Sequence, residues 1–100
     1  MDDLFTYCYL VQRGKPAASI AVHKRDLKLA EMIVSKEGLN YYIEILADEW
    51  VTFWVYQHPH ILNVIKTIPQ VPKSEYEHWV LGKLFGYDDS SIADFLSNQL

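Results

Sequence analysis

Leu4-Phe5-Thr6-Tyr7-Cys8-Tyr9-Leu10-Val11 is the stretch on which the fold turns. It is apolar on both alternating faces and rich in Tyr and Phe, the composition of a central β-strand. Gln12-Arg13-Gly14-Lys15-Pro16 follows with turn chemistry, so residues 17–22 are expected to return as the second strand of a hairpin.

Further along the chain the period changes. Between residues 24 and 37, Leu27, Ala30 and Val34 lie on one stripe with Leu29 and Ile33 beside it, a helical spacing that Gly38 would end. Residues 41–46 and 50–57 are dense in β-branched and aromatic side chains. The short Ala47-Asp48-Glu49 link makes them a second hairpin.

Three helices are expected after His58. Pro59 suits a first helical position, and Ile61, Val64, Ile65 and Ile68 repeat at i, i+3, i+4 and i+7 until Pro69 and Pro72. Ser74 and Glu77 form a capping box ahead of a helix running to about Phe85, with Tyr76, Trp79, Val80 and Leu84 as its buried stripe. Gly86 and Asp88 then close that helix and open a last one whose apolar face is Ile92, Phe95 and Leu96. The expected fold is α+β, ordered β-β-α-β-β-α-α-α: a single four-stranded antiparallel sheet from two β-hairpins, with helices packed on it. Residues 1–100 form one domain, the hairpins and first helix occupying 1–57 and the closing helices 58–100.

Composition narrows the function. Half of the 100 residues are hydrophobic and 22% are charged, which supports a packed core and excludes disorder and low complexity. No apolar run approaches the roughly 18 residues of a membrane-spanning helix, and the Met-Asp-Asp-Leu-Phe start lacks the features of a secretory signal, so a cytoplasmic protein without membrane contact is expected. Cys8 is the one cysteine, which leaves no internal disulfide and no cysteine-based zinc site. The net charge is −4 and uneven. Residues 1–38 carry +1, whereas residues 39–100 hold Lys66, Lys73 and Lys83 against eight acids, −5, which disfavours duplex DNA.

Alternation divides the strand residues into two sets. One is aliphatic: Leu4, Cys8 and Leu10, then Ile20, Val22, Ile43, Ile45, Val51, Phe53 and Val55. The other is aromatic and partly polar, and from it Tyr7, Tyr9, Tyr42, Trp50, Trp54 and Tyr56 are the expected partner-binding residues, because Tyr and Trp combine apolar area with a polar tip. Burial of this face under the chain's own helices is the competing reading. A stacking platform for single-stranded RNA, with Arg13, Lys15, Lys24 and Arg25 near phosphates, is the least favoured given the acidic balance.

Chemistry finds few candidates. His58-Pro59-His60 offers weak metal candidates in His58 and His60, with His78 and nearby acids the available further ligands, so no metal and no cofactor are expected. Cys8 in an apolar segment is desolvated, the opposite of what a reactive thiolate needs. Ser90 and Ser91 follow an acid at a helix start, no phosphate loop or nucleophile-elbow pattern occurs, and Glu44, Asp48 and Glu49 lie around a hairpin turn. The last two helices have the length of a helix-turn-helix, yet residues 89–100 contain no Lys or Arg to meet DNA. The stretch Gly82-Lys83-Leu84-Phe85-Gly86-Tyr87 with Ile92-Ala93-Asp94-Phe95-Leu96 resembles the closing helix pair of small hypothetical proteins from bacteria and phages, a resemblance that implies no activity. The expectation is a non-enzymatic protein–protein interaction module, an adaptor, regulator or inhibitor that pairs with itself or with another protein. One version is a phage-encoded inhibitor of a bacterial defence enzyme. The alternative is a small-ligand or single-stranded RNA binding module.

Overall fold

The computed structural model describes residues 1–69 and 71–99; Gln70 and Leu100, the latter ending the closing segment, lie outside the described residues. Its helices are α1 (Asp2–Gln12), α2 (Leu27–Lys36), α3 (Pro59–Thr67), α4 (Glu75–Leu84) and α5 (Asp89–Gln99). Its strands are β1 (Ala17–His23), β2 (Asn40–Ala47) and β3 (Trp50–Tyr56), and a single 3-10 turn at Lys24–Asp26 leads into α2.

The first segment is therefore a helix, and the expected four-stranded sheet is corrected to three strands. Leu4, Cys8 and Val11 are its buried residues, at i, i+4 and i+7, the stripe of a 3.6-residue period. Leu10 and Val11 decide between the periods: a strand would bury Leu10, yet Leu10 is 41% exposed and Val11 only 1%. Asp2 and Asp3 sit in the first turn, where the helix dipole favours acids. Gly14 ends the helix rather than making a hairpin turn. At φ +115° it occupies the left-handed region, and the amides of Gly14 and Lys15 reach back to the carbonyls of Val11 and Leu10 in a Schellman closure. Gly38 and Gly86 close α2 and α4 by the same pattern.

Without a partner at residues 4–11, β1 pairs with β3 instead, and the sheet order is β1-β3-β2. Both outer strands run antiparallel to β3, with Ile20 and Ile43 flanking Phe53 in register. They are thus parallel to each other, joined through α2 as a split β-α-β unit. The β2–β3 hairpin is the one expected from sequence, with a bulge between Ile45 and Ala47.

Two cores lie on opposite faces of the sheet. On one, Leu4, Cys8 and Val11 of α1 and Ala30, Ile33 and Val34 of α2 pack against Ala18, Val22, Val51, Phe53 and Val55. On the other, Ile65 of α3 and Leu84 of α4 pack with Ala17, Trp54 and Tyr56. The Ser74 hydroxyl accepts from the Glu77 amide at 3.1 Å, while the Glu77 carboxylate accepts from the Lys73 amide, one residue before the expected donor. Of the stripe expected on α4, Leu84 is buried, Trp79 and Val80 are half-buried, and Tyr76 is exposed.

Helix α5 rests on α4 at Gly82, where a Cβ would stand 2.7 Å from the Ile92 side chain. Gly82→Ala is expected to cost about 1–3 kcal/mol by overpacking this seam. Thermal unfolding should record the loss, and combined with Ile92→Ala the cost should fall short of the sum of the two single losses, because removing the Ile92 side chain relieves the clash.

Candidate functional site

The six aromatic residues expected to form one face separate into three places. Tyr7 and Tyr9 stand on α1, away from the strands: Tyr7 is half-buried against the first core, and Tyr9 is exposed with the Arg13 guanidinium 3.4 Å over its ring. Tyr42, Trp54 and Tyr56 do share a sheet face, since Tyr42 is opposite Trp54 in register. That face lies under α3 and α4. Trp54 is 5% exposed, stacks on Phe85 at 5.6 Å with planes 6° apart, and donates from Nε1 to the Glu44 carboxylate at 2.6 Å. Burial raises the Tyr56 hydroxyl above its ordinary pKa, and Lys66 Nζ lies 5.5 Å from the Tyr42 ring.

Trp50 alone of the six is an exposed strand residue. It is 44% exposed at the turn end of the hairpin, edge-on to His23 at 5.1 Å, and opposite Ala47. Ile45 and Leu46 join it there at 79% and 51% exposure. Sequence alternation assigned Ile45 to the covered aliphatic face, and the lengths of the elements explain the difference. Eight residues of β2 extend about 27 Å. Ten residues of α2 extend about 15 Å, so the helix ends short of the strand. Asp48 and Glu49 rim the turn, and the Glu49 carbonyl accepts from the Lys24 amide at 2.9 Å.

The other candidates are dispersed. The His58 and His60 rings stack at 5.8 Å on the exposed start of α3, and among the described residues no group of three or more His, Cys, Asp or Glu is arranged to hold a metal. His78 packs on Phe95, and His23 Nδ1 accepts from the Arg25 amide. Cys8 is buried, and desolvation, with Glu37 adding to it, pushes its thiol pKa up. Lys15 Nζ donates to the Phe85 carbonyl, tying the turn after α1 to the end of α4; its burial lowers its pKa. Arg25 pairs with Asp26, so Arg13, Lys15 and Arg25, three of the four cations considered for RNA phosphates, are engaged at separate places.

An apolar cleft of about 320 Å³ opens between α4 and α5, lined by Leu81, Phe85, Ile92 and Phe95 with His78 and Ser91 at its polar positions. No helix among the described residues is long and apolar enough to cross a membrane. The chain matches no protein-family model and no curated protein.

Proposed function

We propose that the chain is a small acidic protein–protein interaction module, an adaptor, regulator or inhibitor without chemistry of its own, that binds through the turn end of the β2–β3 hairpin. The observation carrying this reading is the grouping of Ile45, Leu46 and Trp50, all exposed, at one end of one hairpin. Single exposed apolar residues are ordinary, whereas three at one hairpin end, Ile45 on the α2 face and Trp50 on the other, present apolar side chains on both sides of the edge beside a polar rim, which marks an interaction surface. Trp is the side chain most enriched among residues that dominate binding energy, and Asp48 and Glu49 supply the polar rim.

Trp50→Ala and Leu46→Glu provide the test, because both sites are exposed and each substitution should leave the fold intact. Immobilised wild-type chain is expected to retain a protein, itself or another, from a native lysate after nuclease treatment and in about 0.5 M salt, where exposed charges are screened. Leu46→Glu should lose it. Retention of nucleic acid that disappears with salt would overturn the reading, as would retention unchanged by both substitutions.

A further inference from the structure

We infer that the partner of this hairpin is a second copy of the chain, paired antiparallel through β2 about a two-fold axis at Ile43, so that two three-stranded sheets become one of six strands. This rests on the interaction-module reading above and names its occupant. Strand β2 is an edge, hydrogen-bonded to β3 on one side. Edge strands are ordinarily blunted by Lys, Pro, inward charges or bulges. Asn40–Ala47 contains no Lys, Arg or Pro; its single charge, Glu44, is drawn to Trp54 Nε1; and its bulge is confined to the turn end. The opposite edge, β1, also lacks Lys, Arg and Pro, but its residues are mostly buried or half-buried with α1 packed on them, whereas Asn40, Ile45, Leu46 and Ala47 of β2 are exposed.

Alternation and charge select the register. A pairing must keep like faces together, so the axis falls on a residue and each side chain meets one of its own face. Centred on Glu44, the two carboxylates would oppose each other directly, which is unfavourable. Centred on Ile45, the pairing would run through the bulge. Centred on Tyr42, the exposed Ile45 would project beyond the partner strand. Centred on Ile43, Ile45 meets the partner's Tyr41, Ile43 meets its own copy and Glu44 meets the partner's Tyr42, all short of the bulge at Leu46. Lys66 lies over Tyr42 in each copy, so each Glu44 comes beside the partner's Lys66. Two crossed acid–base pairs then form by symmetry, the isologous pattern of a two-fold interface.

Size-exclusion chromatography with light scattering across a dilution series tests this on the purified chain. Wild type is expected to run as a dimer that dissociates on dilution. Ile45→Lys should weaken it by about tenfold or more, with an unchanged far-ultraviolet circular-dichroism spectrum, because it places a charge on the edge opposite the partner's Tyr41. Ile45→Val should keep the dimer. Lys66→Glu should weaken it several-fold, and more so at low salt than at high. A wild-type monomer at every concentration, or an Ile45→Lys dimer as tight as wild type, would overturn the pairing. A monomer that still retains another protein through Leu46 overturns the self-pairing alone. One that retains nothing overturns the interaction-module reading with it.

Discussion

Phe53→Ala is expected to destabilise the domain by about 3–5 kcal/mol, the range for removing a buried aromatic ring. Phe53 is fully buried at the centre of β3, flanked by Ile20 and Ile43 in register and stacked against Tyr41 at 5.3 Å. Both α1 and α2 pack on the core it belongs to. Domains of this size have a total stability of about 5–15 kcal/mol, so the substitution removes a large share of it. At about 4–8 °C per kcal/mol, the melting temperature should fall by at least about 12 °C. Amide exchange should rise first in α1 and α2.

Trp54→Ala, at the neighbouring position, should cost a similar amount, about 3–5 kcal/mol, through the opposite face. Its ring stacks on Phe85 and its indole N–H is held by Glu44, both of which lose their partner. Exchange should rise first in α3 and α4, the helices of that core. A melting temperature within about 2 °C of wild type would show that Trp54 does not pack in this way. Trp54 therefore reports on folding, and Ile45, on the exposed edge strand, reports on binding.

The contrast between these residues marks how far the fold could be read from sequence. Strands β2 and β3, their hairpin, and the separation of Phe53 from Trp54 follow from period-two alternation, which is unambiguous where aliphatic and aromatic residues take turns. Helices α2 to α5 follow from apolar spacing and from Ser74, Gly38 and Gly86. Residues 4–11 satisfy both periods. Leu4, Cys8 and Leu10 alternate, while Leu4, Cys8 and Val11 make a helical stripe, and β-forming Tyr and Phe favour a strand only when a sheet edge is available to receive it. The signal that distinguishes them is Gly14. Placed two residues after Gln12, it repeats the relation of Gly38 to α2 and Gly86 to α4, and so marks a helix C-terminus.

The candidate surface was legible in part. Trp50 belonged to the expected set, but Ile45 and Leu46 did not, because alternation specifies which face a side chain takes and not how far along the strand a helix covers that face. The disparity in rise between a short helix and a longer strand leaves the turn end bare.

Hydrogen–deuterium exchange of the purified chain at high and low concentration tests the central claim most directly. Amides of β2 between residues 40 and 46 should be protected at high concentration and lose that protection on dilution, while those of the β1 edge stay unchanged. Exchange in β2 that is independent of concentration, or protection gained at β1 instead, would contradict pairing of the chain through this edge.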